Sequence, residues 1–239
     1  MGDIVDILRV YGMQLLVGSY PNGPLGGLAL TLILACAGLL GAFPLALVIG
    51  IARTSTLRWI AWPVATLVHT LRGLPVLMLL FWAYFVVPLV TGRAISGVTT
   101  VICALIAYET AFLGEVIKGG ILAIPQGQTQ AAKSLGLGYF QTLASVVLPQ
   151  ALFNILPSIL NQFISLIKNT SLAYIISVNE LTFSAYQINT QLLTKPFQVY
   201  FILATSYFVV CYALSRAVGR LETRIARRRA GHGLAGAST

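Results

Sequence analysis

Few side chains in this sequence could do covalent chemistry, and none is spaced to do it. The two histidines, His69 and His232, lie far apart, and the three cysteines, Cys36, Cys103 and Cys211, share no short spacing. Metal ligation and nucleophilic catalysis need such groups to converge. The cysteines read instead as small hydrophobes inside apolar stretches. No Gly-x-x-x-x-Gly-Lys-Ser/Thr run is present, so nothing here can cradle nucleotide phosphates. What remains is recognition by charge and amide. Glu109, Glu115, Lys118 and Arg72 sit in or beside apolar runs, and an ionisable group at membrane depth normally faces a cavity or a partner. Glu109 is expected either to line a translocation path and meet a substrate ammonium, or to bond a neighbouring helix. Arg72 offers its forked donors to a substrate carboxylate or braces backbone carbonyls, with His69 a packing residue one turn away. Glu115 and Lys118, three apart, share a helix face and are expected to pair, with Glu115 kept as a candidate path residue. Asn161, Gln162 and Ser165 are pore-lining groups or interhelical hydrogen bonds. Lys168-Asn169-Thr170-Ser171 shapes an outer gate or caps helix ends.

The elements that must position these residues are membrane spans. The chain has 239 residues, 57% hydrophobic and only 9% charged, against about 25% charged in an average soluble domain. Its apolar residues come in blocks near the ~20 residues needed to cross a bilayer. The expected fold class is all-α and polytopic, with five transmembrane helices. The first span covers 25–52, with Gly38, Gly41, Ala42 and Ala46 as small packing residues. The second apolar region, 59–90, would reach roughly 48 Å as one straight helix, longer than the hydrocarbon core. Pro75 removes a backbone donor, so a sloping lead-in, a bend near Gly73–Pro75 and a main span are expected. Further spans are expected at 97–120, 145–167 and 197–218. A loop bearing a small helix falls at 124–139, and a polar stretch at 168–196.

Residues 1–20 mix Asp3, Asp6 and Arg9 with aliphatic residues and read as an amphipathic surface segment, without the pattern of a cleaved signal peptide. Residues 21–222 are expected to form the transmembrane domain, and 223–239 a basic tail expected to be disordered at its end. The net charge is +9, and six of the fifteen Lys and Arg residues are Arg216, Arg220, Arg224, Arg227, Arg228 and Arg229. Such a cluster after an apolar run marks a cytoplasmic segment beside anionic lipid rather than a nucleic-acid surface. With five spans, that puts the C-terminus in the cytoplasm and the N-terminus outside. No half-to-half duplication is evident, which argues against a self-contained secondary transporter.

One spacing carries the functional reading. Ala131-Ala132 is followed by Gly136, then Val146, then Leu148-Pro149. This resembles the EAA motif of ABC importer permeases: Glu-Ala-Ala, three residues, Gly, nine residues, Ile, one residue, Leu-Pro. Gln130 replaces the Glu and Val146 the Ile. Two adjacent alanines leave a helix slim enough to lie in a groove of another protein, and Gly136 is an expected helix stop. Leu71-Arg72-Gly73-Leu74-Pro75, Ala111 to Ile121, and Lys168-Asn169-Thr170-Ser171-Leu172 resemble the polar amino acid subgroup. Phe81-Trp82-Ala83-Tyr84 and Tyr108-Glu109-Thr110-Ala111 are most similar to its glutamate/aspartate members.

The resemblance implies a type I ABC importer permease in the bacterial inner membrane. Residues 124–143 would form the coupling loop, with Gln130, Ala131, Ala132, Leu135, Gly136 and Leu137 docking on an ATPase. It implies a second permease, a paralogue or an identical copy, two ATPase subunits that bind ATP and Mg, and a periplasmic amino-acid-binding protein. This chain would bind no cofactor and catalyse nothing. The rival is an ion-coupled transporter or channel needing no ATPase, which would leave the 130–149 spacing unexplained.

Overall fold

A computed structural model describes residues 2–235, with side chains over 4–225. The expected disorder at the end of the basic tail concerns residues 236–239, outside the described residues. The elements are α1 (Gly2–Val17), α2 (Gly27–Ala52), α3 (Arg58–Gly73), α4 (Val76–Phe81), α5 (Val87–Thr91) and α6 (Gly97–Leu122). After these come α7 (Gln126–Ser134), α8 (Tyr139–Thr142), α9 (Leu148–Asn169), α10 (Leu181–Leu192) and α11 (Pro196–Ala235). Among the described residues, four helical stretches are long and apolar enough to cross a bilayer: Gly27–Ala52, Gly97–Leu122, Tyr139–Ile176 and Pro196–Ile225. The pair Arg58–Gly73 and Val76–Thr91, bent by 100° at its break, makes a fifth crossing when its two limbs are counted together.

The breaks have local causes. Leu74 is extended (φ −90°, ψ 137°), as the residue before a proline must be, and Pro75 then opens α4. Two short π segments, Trp82–Val86 and Leu143–Val147, come just before Pro88 and Pro149. Each proline lacks an N–H and its ring crowds the carbonyl four residues back. Widening the preceding turn to an i→i+5 pattern relieves that clash. The fourth crossing therefore runs unbroken from Tyr139 through a 3-10 turn at Thr170–Ile176, longer than its apolar run suggested.

The centre of the bundle is the seam between α2 and α6. Gly38, Ala42, Ala46 and Gly50 recur every fourth residue, all buried on one face of α2. Small residues at this period let helix backbones approach closely. A Cβ at Gly50 would stand 2.6 Å from Ile117 Cγ2 and 3.1 Å from the Gly114 carbonyl oxygen. Ile117 is fully buried and branched, so it has nowhere to move. Gly50→Ala should therefore destabilise the chain by about 1–3 kcal/mol through overpacking. Gly119→Ala, on the same helix pair with no atom within 4 Å of its Cβ, should not. Thermal unfolding of the two variants in one detergent checks this.

A second core joins α1 to α10 and α11 through Ile7, Leu15, Leu181, Ile188, Val199 and Ile202. The N-terminal segment is thus a docked helix, with Val10 and Met13 left exposed on its other side.

Candidate functional site

The loop between the third and fourth crossings holds a rigid element. Helix α7 follows α6 after only Ala123, Ile124 and Pro125. Its end is closed by Gly136 in the left-handed region (φ +83°). The Gly136 N–H donates to the Lys133 carbonyl (2.9 Å) and the Leu137 N–H to the Ala132 carbonyl (3.2 Å), the paired bonds of a Schellman cap. Gly138 N–H is held by the Gln141 Oε1 at 3.1 Å, starting α8. Of the sequence candidates, Gln130, Ala131, Leu135 and Gly136 are exposed and Leu137 is half-buried, but Ala132 is buried against its own chain. Only one of the two alanines therefore faces outward. Leu135 (82% exposed), Phe140 (79%) and Tyr139 (55%) form an apolar patch around it. Exposed apolar groups clustered on a charge-poor loop are the kind of patch that a protein partner can cover. An apolar cavity of about 450 Å³ lies beside them, bounded by Ile51, Leu57, Ile60 and Phe140, so the patch abuts the α2–α3 turn.

On this side of the bundle, Glu115 gathers three cations. Arg53 donates Nη1 to Glu115 Oε2, Lys118 Nζ stands 3.3 Å from Oε1, and Arg72 Nη1 lies 3.7 Å from Oε2. The Arg72 guanidinium also lies over the Phe112 ring at 5.2 Å, and Arg53 Nη2 approaches His69 Nε2 at 3.5 Å. The expected Glu115–Lys118 pair is present. Arg53 is the central partner that spacing could not reveal, being 62 residues from Glu115 and only 6% exposed at its side chain. Arg72 thus ties α3, at the bend, to α6.

Glu109 is 1% exposed within α6. Neither its carboxylate oxygens nor the Thr110 hydroxyl finds a hydrogen-bond partner. Gln162 of α9 approaches without closing one. Glu109 sits in the packing between helices and not on an open wall. The open wall is on α9, where Ser158, Asn161, Ser165 and Lys168 recur at spacings of three and four. Ser158, Asn161 and Lys168 are exposed and Ser165 is half-buried. Ile155, Ile159, Leu166 and Ile167 on the remaining surface are buried. A polar stripe along a membrane helix is a poor match for lipid and fits water or a second protein. Asn161 Nδ2 donates to Glu222 Oε1 at 3.5 Å. Near the end of α9, the Thr170 and Ser171 hydroxyls donate to the Ile167 and Lys168 carbonyls, each at 2.7 Å, closing the helix as one reading of this segment expected.

A polar cluster that sequence reading missed lies between the fourth and fifth crossings. Glu180 is fully buried and caps α10, accepting from the Thr182 and Phe183 N–H groups at 2.9 Å each. The Tyr207 hydroxyl of α11 donates to its Oε2 at 2.9 Å. Thr31 of α2 accepts from the Leu181 N–H at 3.1 Å. The signal was present, an acid just before a short apolar helix, but it was hidden in a stretch read as loop.

A five-crossing bundle with a broken second span and a capped loop helix is the fold of type I ABC importer permeases. The crystal structure of an amino acid ABC transporter with histidines superposes with a TM-score of 0.75 at 30% identity, over 83% of this chain and 92% of that one. An inward-facing methionine ABC transporter shares the fold at TM-score 0.62 and 21% identity, over 81% and 91% of the two chains. Residues 42–227 match the family described as binding-protein-dependent transport system inner membrane component, and the chain belongs to that family. The probable glutamine ABC transporter permease protein of Bacillus subtilis is 38% identical over 87% of this chain and 98% of its own length. The glutamine transport system permease protein of Escherichia coli strain K12 is 32% identical, over 83% and 91%. The protein is therefore a polytopic inner-membrane permease subunit of an amino-acid ABC importer, with ATP hydrolysis residing in a separate subunit.

Proposed function

We propose that the chain forms half of an alternating-access pathway for glutamate, aspartate or a related amide, driven through α7. The observation that carries this reading is the exposed patch of Ala131, Leu135, Tyr139 and Phe140 on a capped helix joined to α6 by three residues. An ATPase pair that binds ATP and Mg would hold this patch in a surface groove, and its closure would push on α6 and α9 together. The chain itself needs no cofactor. A second permease, identical or paralogous, packs against the polar stripe of α9 so that Ser158, Asn161, Ser165 and Lys168 border the path. Lys168 and the amides of Asn161 and Gln162 suit a carboxylate or carboxamide side chain. Glu109 meets substrate only when α6 and α9 separate. Arg72 and Glu115 act at the bend of the second span, bracing it as the helices tilt. In the orientation proposed, α7 and the basic end of α11 are cytoplasmic and the N-terminus is outside, where a periplasmic amino-acid-binding protein delivers cargo.

The test is purification of the chain with its candidate ATPase and reconstitution with the binding protein. ATP hydrolysis should rise several-fold with glutamate, aspartate or glutamine and stay basal with cationic amino acids. Accumulation of substrate by this chain alone, in vesicles without ATP, would instead establish the ion-coupled reading.

A further inference from the structure

The Glu115 cluster holds more cations than its one carboxylate can satisfy. Beside the Glu115 cluster, a cavity of about 610 Å³ opens between the end of α2 and the start of α3, lined by Arg53, Arg58, Ala61, Trp62, Ala65 and Lys118. All three of its charged groups are positive. Arg53 and Lys118 share Glu115 with Arg72, and Arg58 has no ion-pair partner among the described residues. A zwitterionic amino acid would bring an ammonium group that finds no free carboxylate here, so the cavity selects an anion.

Its position says which anion. Helix α3 turns through 100° from the rest of its crossing. Ala61, Trp62 and Ala65 share the cavity with Arg53 and Lys118, and His69 and Arg72 reach Arg53 and Glu115, so α3 lies across the ends of α2 and α6 as the lead-in to its crossing. Trp62 (76% exposed) and Trp59 (73% exposed) project from its first two turns beside Arg58. Tryptophan and arginine together on a helix lying across a bundle are the signature of the headgroup level of a membrane. The indole rings suit the glycerol and upper acyl region, and the cations suit a phosphate.

We infer that the cavity of Arg53, Arg58 and Lys118, walled by Trp62, binds the phosphate of an anionic phospholipid from the leaflet on the α7 side. The bound lipid bridges α2, α3 and α6 at the start of α3, the end of that helix away from the bend. An anionic headgroup thereby holds the first turns of α3, while Arg72 holds its last turn at the bend.

The experiment follows the full-length chain in a neutral detergent by native mass spectrometry and thermal unfolding. Phosphatidylglycerol, phosphatidylcholine and inorganic phosphate are added in turn. Phosphatidylglycerol should be retained and should raise the unfolding midpoint, while phosphatidylcholine should do neither. Arg58→Gln should weaken retention roughly fivefold, as expected for one cation at a membrane surface, and Arg58→Lys should restore most of it. Arg58 is exposed and outside the Glu115 pairs, so neither variant should impair folding. Equal retention of both lipids, or retention indifferent to Arg58→Gln, overturns the site. Equal stabilisation by millimolar phosphate overturns the lipid and leaves a soluble-anion site. Loss of phosphatidylglycerol on addition of the ATPase subunit assigns the cavity to a protein partner and also overturns the inference.

Discussion

Gly136→Leu should abolish transport stimulated by the binding protein while leaving membrane insertion and folding close to normal. Gly136 holds φ at +83°, a region that costs an ordinary L-residue about 1–2 kcal/mol. A Cβ there meets nothing within 4 Å, so the substitution creates no clash inside the chain. Its effect is concentrated at the end of α7, where the cap bonds to the Ala132 and Lys133 carbonyls would slacken, and at the patch itself, where a new side chain would stand beside Leu135. Gly136→Asn, which tolerates the left-handed region better, should retain partial activity. The measurement is uptake and ATP hydrolysis in proteoliposomes, with copurification of the ATPase as the assembly control. Full uptake by the leucine variant would remove α7 from the drive train.

Glu180→Ala should markedly destabilise the chain. It would strand two half-buried donors, the N–H groups of Thr182 and Phe183, while the Tyr207 hydroxyl would keep Thr182 Oγ1, at a combined cost of about 2–4 kcal/mol. Glu180→Gln keeps one acceptor and the volume, and should cost about 1–2 kcal/mol. Burial pushes the Glu180 carboxyl up to about 7 from the usual 4.5, against the hydrogen bonds that favour its charged form. Between those two values the folded chain holds a proton that the unfolded chain has lost, so stability falls as pH rises through that window and levels off above it. Melting midpoints in detergent should decline across the window in the parent chain, and Glu180→Gln should remove that group's share of the slope. An unchanged slope would show that Glu180 does not titrate there.

What could be read from the sequence was whatever depends on near neighbours or on run length. The crossings follow from apolar blocks, and the elbow at Gly73–Pro75 from the stereochemistry of proline and the residue before it. The Glu115–Lys118 pair follows from helical spacing, and the stop at Gly136 from a glycine after a short helix. What depends on chain partners distant in sequence was not legible. Arg53 finds Glu115 only because α2 and α6 lie side by side, and Thr31 meets Leu181 across 150 residues. Burial was also hidden. Glu109 and Asn161 are both polar groups in apolar helices, yet the first is enclosed and the second open. Which way a helix is rotated depends on what packs against it, as the inward turn of Ala132 and the outward turn of Ala131 also illustrate. Helix α10 went unseen because its apolar face is short and its cap is a single acid.

The ladder of Gly38, Ala42, Ala46 and Gly50 has a mechanical consequence. Two helices keyed together, with Ile106 and Ile117 of one seated on Gly41 and Gly50 of the other, cannot slide or roll past each other without lifting apart, so the first and third crossings travel as one plank. The plank has α7 fixed almost directly to its end. Any rocking of the molecule must then be taken up elsewhere, at the elbow before α4 and along the softer borders of α9 and α11.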